Sequence, residues 1–158
     1  MADYVSILAH FIENAKIKTV LELGVGSGRS SEEILKALPI DSYLWSIDIN
    51  SCLEAKERLK SFKKKWTFFS DTDDREIDSR FIPDVDMIFI DTSHTYEHTL
   101  MELEKFSGKA LHWIFLHDTI SNPEVTQAIE IFLQNDIKWA WAEWKHRFGM
   151  GLLMRINP

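Results

Sequence analysis

Short apolar runs recur along this chain, each followed by a segment with helical punctuation, and that alternation restricts the fold more than any other feature. Thr19-Val20-Leu21-Glu22-Leu23 is the first run, of the kind buried in a parallel sheet, and it stops at a cluster of glycines. Tyr43-Leu44-Trp45-Ser46-Ile47 is the second and Trp66-Thr67-Phe68-Phe69 the third. Val85-Asp86-Met87-Ile88-Phe89-Ile90 and Trp113-Ile114-Phe115-Leu116 are the fourth and fifth. Between them, Ser30 with Glu33 and Ser51 with Glu54 read as capping boxes, opening helices through Leu38 and about Phe62. A further helix runs from about Thr95 to Phe106 and ends near Gly108, and Asn122-Pro123 supplies an N-cap and first-turn proline for one reaching about Gln134. The acidic stretch from Asp71 to Asp84 holds a short helix or a loop. Trp139 to Trp144 and Gly151 to Ile156, on either side of Gly149, read as an antiparallel hairpin. The order predicts an α/β fold: a doubly wound, Rossmann-like, seven-stranded and mostly parallel sheet with a terminal antiparallel hairpin and helices on both faces.

Length and charge narrow the class of function. With 158 residues the chain suits one domain spanning 1–158, which cofactor and substrate would share. The net charge of -7 argues against a nucleic-acid partner, because phosphate contacts need clustered cations and the only dense run is Lys63-Lys64-Lys65, which reads as a solvated helix end. Cys52 is the single cysteine, so no internal disulfide or cysteine-based zinc site can form, and a cytoplasmic location is the simpler expectation. Val5, Leu8, Phe11 and Ile12 at helical spacing make the amino terminus an amphipathic helix rather than a secretion signal, and no apolar stretch reaches membrane-spanning length. Trp139, Trp141 and Trp144 read as core or dimer-contact aromatics, which leaves a homo-oligomer open.

In an open parallel sheet, ligands bind beyond the carboxyl ends of the strands, so the residues that follow each run carry the functional weight. The first run leads into Gly24-Val25-Gly26-Ser27-Gly28, where glycines permit a tight turn and close approach of backbone to a ligand. The helix behind it offers free N–H groups to an anionic group. Asp48 ends the second run, where an acid can accept hydrogen bonds from both hydroxyls of a ribose; a turn aspartate is the plain alternative. Asp71 follows the third run, placed to meet an adenine amino group or to serve as an exposed loop acid. The fourth run leads into Asp91-Thr92-Ser93-His94-Thr95-Tyr96-Glu97 and the fifth into His117-Asp118-Thr119, two segments expected to face one crevice. Asp91 as a helix cap and His94 as a structural hydrogen-bonder remain the bland readings.

The pattern Glu-x-Gly-x-Gly-x-Gly at 22–28, with Asp48 and Asp71 after the next two strands, resembles the cofactor site of class I S-adenosylmethionine-dependent methyltransferases. The resemblance implies that Glu22, Gly24, Gly26, Ser27, Gly28, Asp48, Ile49, Asp71 and Asp91 form the cofactor site. Asp-x-x-His-x-Tyr-Glu at 91–97 and His117-Asp118 are similar to the branch holding macrolide-sugar O-methyltransferases and cephalosporin hydroxylase-like proteins. That likeness implies O-methylation of a small hydroxylated molecule, such as a sugar or natural-product glycoside. It also implies Asp91, His117 and Asp118 as ligands of a divalent metal, and His94 as the catalytic proton acceptor. Magnesium is the expected ion, but His117 stands where metal-dependent relatives often have Asp or Glu, which leaves a weakened site, one shifted toward manganese or iron, or no metal site as the alternatives. Two other classes stay open. A nicotinamide-dependent oxidoreductase would prefer Gly-x-Gly-x-x-Gly, whereas here the third glycine comes one residue early. A cofactor-binding protein without turnover, or a subunit completed by a partner, is the other.

Overall fold

The computed structural model describes residues 4–63, 65–145 and 147–156, so Lys64 of the lysine run lies outside the described residues. The chain divides into two compact units, one through Glu76 and one from Ile77. In the first unit, helix α1 (Tyr4–Asn14) precedes strand β1 (Thr19–Leu23), helix α2 (Arg29–Ala37), strand β2 (Tyr43–Ile47), helix α3 (Leu53–Arg58) and strand β3 (Trp66–Phe69). The apolar stripe of α1 buries Val5, Leu8 and Ile12, as its helical spacing demands. The strands pair in parallel, with Leu23 beside Ile47 and Ile47 beside Phe69. Because all three end in line, Gly24, Asp48 and Ser70 leave the sheet at one rim.

The second unit carries β4 (Val85–Ile90), α4 (Tyr96–Phe106), β5 (Ala110–His117), α5 (Pro123–Asn135), β6 (Trp139–Trp144) and β7 (Met150–Arg155). Strands β4 and β5 run parallel with Ile90 beside Leu116, so Asp91 and His117 emerge as neighbours. Strands β5 and β7 are antiparallel, as are β6 and β7. Gly151 is required in β7, because a Cβ there would lie 2.0 Å from the Trp141 ring. The strands make one seven-stranded sheet in the order β3-β2-β1-β4-β5-β7-β6, mostly parallel and closed by the expected antiparallel pair. No helix among the described residues is long and apolar enough to cross a membrane.

Three local expectations are corrected. Neither capping box forms: α2 starts from Gly28 in the left-handed region and α3 from Cys52, and neither start has a side-chain cap bond. Because α2 starts two residues before the expected cap, Ser30 falls inside its first turn, and its hydroxyl donates to the Glu22 carboxylate. The helix expected through Phe62 ends at Arg58 and gives way to a 3-10 turn at Lys60–Phe62. The fifth strand is longer than its apolar run, because Ala110, Leu111 and His112 extend β5 although the last two are exposed.

Candidate functional site

In the first unit the glycine loop is held from beneath and from the side. Glu22 is fully buried in β1, and its carboxylate accepts from Ser30 Oγ at 2.9 Å, Ser31 Oγ at 2.7 Å and Ser46 Oγ at 2.7 Å. It thereby ties β1 to the first turn of α2 and to β2. The sequence reading placed Glu22 in the cofactor site; in the structure its side chain is fully buried and held by these three hydroxyls. Gly24, Gly26 and Gly28 all adopt positive φ, which an L side chain resists. Gly28 also has a packing reason, since a Cβ would meet Ala55 of α3 at 2.8 Å, whereas a Cβ at Gly26 would meet nothing within 4 Å. The Ser27 carbonyl accepts from Arg58 Nε at 3.0 Å, and the Arg58 guanidinium also pairs with Glu32 and Glu54, clasping the loop between two helices.

Asp48 carries more of the loop than its expected ribose role requires. Its Oδ2 accepts from the Val25 N–H at 2.8 Å and the Gly26 N–H at 3.0 Å, and its Oδ1 from the Asn50 N–H at 2.8 Å and the Asn50 amide at 3.1 Å. Burial, the largest single influence, pushes this carboxyl upward, but the N–H groups of Val25, Asn50 and Gly26 together outweigh it and hold the carboxyl below its ordinary value. A carboxylate has about four acceptor sites, so ribose hydroxyls would have to exchange with a donor already present. The Asn50 side chain is the most exchangeable, a role the sequence reading missed although Asn two residues after Asp is a common turn signal. Cys52 sits beside the same carboxylate, and burial followed by its hydrogen bond to Asp48 pushes its thiol up to about 11. Ile49 is exposed and so is Asp71, whose N–H donates to the Asn50 carbonyl at 3.2 Å.

In the second unit the loops after β4 and β5 bring together all four chemically active residues singled out there. His94 Nε2 lies 3.1 Å from Asp91 Oδ1 and 3.3 Å from Asp118 Oδ2, while His117 Nδ1 lies 3.4 Å from Asp91 Oδ1 and 3.3 Å from Asp118 Oδ2. One donor atom from each falls within 4.8 Å of every other. His94 and Asp118 reach these positions on backbones with φ of 57° and 62°, a region sparsely used by side-chain-bearing residues but several-fold enriched in Asp and His. Burial favours the neutral form of Asp91 most strongly, yet the imidazoles of His117 and then His94 overcome it and lower its pKa. For His117, burial works downward and is outweighed by Asp91 and then Asp118, so its pKa is raised. Ser121 Oγ donates to Asp118 Oδ1 at 2.7 Å, and the Phe148 ring lies 6.2 Å from that of His117. The Ser121 bond is local, three residues beyond Asp118, whereas Phe148 comes from the hairpin between β6 and β7 and no motif spacing reveals it.

The comparisons with known proteins fall on the same region. A family model described as a methyltransferase domain matches residues 21–119, from β1 to the residue after Asp118. No curated protein matches the chain. Among solved structures, a Staphylococcus aureus protein assigned as a caffeoyl-CoA O-methyltransferase superposes with a TM-score of 0.83 at 15% identity, covering 98% of this chain and 85% of that one. The O-methyltransferase TomG of Streptomyces achromogenes, involved in tomaymycin synthesis and bound to S-adenosylmethionine, gives 0.76 at 17% identity over 99% and 81% of the two chains. A Bacillus cereus O-methyltransferase in complex with S-adenosylhomocysteine gives 0.79 at 13% identity over 96% and 80%. At these identities the superpositions speak for the shared fold.

Proposed function

This chain belongs to the methyltransferase-domain family of S-adenosylmethionine-dependent enzymes, and we propose that it is an O-methyltransferase acting on a small hydroxylated molecule, such as a sugar or natural-product glycoside. The observation that carries the choice of oxygen is the Asp91, His94, His117 and Asp118 cluster, where two imidazoles meet two carboxylates. In the first unit, the glycine loop would take the methionine part of the donor, Asp48 the ribose after exchange with the Asn50 amide, and Ile49 and Asp71 the adenine. In the second, the cluster would bind and deprotonate the acceptor.

The chemistry asks little else of the protein. The acceptor oxygen attacks the methyl carbon of the sulfonium as the carbon–sulfur bond breaks, leaving S-adenosylhomocysteine, while the hydroxyl proton passes to the cluster. Imidazoles suit that proton because their reference pKa lies near neutrality, and the carboxylates fix their orientation. Asp91, His117 and Asp118 would also suit a divalent ion such as magnesium or manganese, since one donor atom from each lies within 4.8 Å of the others; when bound, it would polarise the acceptor oxygen.

The test combines calorimetry and labelled-methyl transfer. S-adenosylmethionine and S-adenosylhomocysteine should bind in preference to NAD, and label should appear on oxygen within a panel of sugars and glycosides. His94→Ala should keep cofactor affinity and lose turnover by about 10²–10⁴-fold. Transfer to nitrogen or carbon acceptors only, or a variant with near-normal turnover, would refute the reading.

A further inference from the structure

We propose that the first unit carries a second small-molecule site, at the end of β1 and β2 opposite the glycine loop, and that it takes an organic anion with one carboxylate, sulfonate or phosphate head on an apolar body. The site is a cavity of about 740 Å³ between the start of β1, the connection from α2 to β2 and the connection from α3 to β3. Thr19 and Tyr43, which line it, are the first residues of β1 and β2, whereas the glycine loop and Asp48 follow the last. Each strand has five residues at about 3.3 Å apiece, so roughly 13 Å separates its two ends. A molecule held here stands clear of the glycine loop.

The hollow follows from the way the chain leaves α3. That helix stops at Arg58, and a 3-10 turn at Lys60–Phe62 takes its place. Four consecutive residues, 60–63, then line one cavity, which a continuous helix would forbid because four residues complete a turn. Backbone bonds hold the walls: the Tyr43 N–H donates to the Lys18 carbonyl at 2.8 Å, the Leu44 N–H to the Lys65 carbonyl at 2.9 Å and the Lys65 N–H to the Phe62 carbonyl at 2.9 Å. Small-molecule sites are usually formed in advance in this way, with volumes of about 300–1,000 Å³.

The charge inside the cavity opposes that of the chain. The molecule has a net charge of -7, yet the lining sets Lys60, Lys63 and Lys65 against one acid, Asp41. Asp41 is paired with Lys18 and Lys60 with Glu57, while Lys63 has no ion-pair partner among the described residues. Lys65 is partly buried; its Nζ donates to the Leu38 carbonyl at 3.1 Å and stands 6.0 Å from the centre of the Phe62 ring. Burial holds its pKa below the ordinary value. An ammonium drawn out of water is stabilised by an anion more strongly than an exposed one is, because the attraction is less screened.

The remaining lining selects the body of the ligand. Phe62 and Tyr43 supply two rings, and Ile40 is 97% exposed. An isoleucine so uncovered beside two rings gains from covering by an alkyl or aryl group and gains nothing from a bare phosphate. Cations and uncovered apolar surface in one hollow therefore call for both parts in one molecule.

The test uses the full chain and anilinonaphthalene sulfonate, an aryl sulfonate whose fluorescence rises on binding, with octanoate, inorganic phosphate and octanol as competitors. One dye should bind per chain. Octanoate should displace it, and phosphate, a head alone, or octanol, a body alone, should do so at least about tenfold less well. Lys63→Glu and Lys65→Met, the second keeping the stem without the charge, should each weaken the dye by about tenfold or more, and Ile40→Ser by about threefold or more. Lys138→Glu, at an exposed lysine of the second unit, should leave dye affinity unchanged. Circular dichroism and S-adenosylmethionine affinity should match the parent in all four variants; if Lys65→Met unfolds, Lys63→Glu, whose side chain is exposed, still reads the site. Absence of dye binding, equal losses in Lys63→Glu and Lys138→Glu, unchanged binding in Lys63→Glu, or displacement by phosphate, octanol or S-adenosylmethionine as readily as by octanoate overturns the proposal. A chain that binds the dye as described but transfers no methyl group to oxygen would leave this site standing and sink the O-methyltransferase reading instead.

Discussion

Replacing Glu22 should destabilise the first unit far more than its distance from any ligand suggests. The buried carboxylate accepts from three serines on two elements, at 2.7, 2.7 and 2.9 Å. Hydrogen bonds to a charged group contribute about 1.5–3 kcal/mol each, but three that share one acceptor are coupled and do not add. Glu22→Ala deprives three buried hydroxyls of their acceptor and opens a cavity, so a loss of about 2–5 kcal/mol is expected, as for other large-to-alanine truncations of a core side chain. Glu22→Gln keeps the volume and one carbonyl oxygen while presenting an NH₂ to a hydroxyl, so about 1–3 kcal/mol is expected. Urea unfolding followed by circular dichroism reads both as shifts in midpoint at unchanged slope. Where both proteins are folded, Glu22→Gln should bind S-adenosylmethionine within about threefold of the parent, because the residue supports the loop through Ser30 and Ser31 at the start of α2. An alanine variant less than 1 kcal/mol below the parent would refute the account of the three serines. A glutamine variant that folds normally but loses the cofactor would return Glu22 to the ligand-contacting set.

The remaining predictions concern the loop that Glu22 supports. Asp48→Ala should weaken S-adenosylmethionine by about 1.5–3 kcal/mol in calorimetry, while Asn50→Ala should leave affinity unchanged or improve it by freeing acceptor sites on Asp48. Equal losses in the two variants would mean that Asn50 is itself a ligand. Gly28→Ala should destabilise by about 1–3 kcal/mol through its 2.8 Å clash with Ala55 on top of its positive φ, and Gly26→Ala, which has room, by only about 1 kcal/mol; reversal of that order in thermal unfolding would contradict the packing. The Asp48 carboxyl is held below its ordinary value of 3.8, so its contribution to stability is complete above that value and disappears as pH falls through the lowered one. The stability gap between the parent and Asp48→Asn should therefore shrink as pH is taken from 7 to below 3.8; a gap that widens would reverse the sign.

The strands were legible because a strand buried on both faces must be apolar along its length, and four of the five parallel strands coincide with the runs read from sequence. β5 outgrew its run because Ala110 pairs with Val85 across a register shift, and Leu111 and His112, which span that shift, are exposed, so periodicity could not see them. The helix starts were misread for a different reason. A capping box is a local rule, and here Gly28 in the left-handed region starts α2 two residues before Ser30, whose hydroxyl then donates to Glu22, eight residues away in sequence. The cluster after β4 and β5 was legible because adjacent parallel strands with Ile90 beside Leu116 deliver the next residues of both to one place. The turn of His94 toward both carboxylates was not, since it depends on a positive φ at a residue type that adopts it only occasionally.

Two acids at strand ends, Asp48 and Asp91, look alike in sequence and differ in what answers them. Asp48 meets three backbone N–H groups, an amide and the Cys52 thiol, whose pKa is pushed up to about 11, so all its donors keep their protons near neutrality and stabilise its ionised form. Asp91 meets two imidazoles, groups that gain or lose a proton near neutrality or exchange it for a metal ion. A carboxylate answered by fixed donors is part of the scaffold, and its loss is read first as loop geometry and stability. One answered by titratable donors belongs to a centre that can change state, and its loss is read as chemistry. The asymmetry lies in the neighbours rather than in the acids, and for that reason the same substitution, aspartate to asparagine, should mainly loosen the glycine loop at position 48, read in thermal unfolding, and mainly abolish turnover at position 91, read in labelled-methyl transfer.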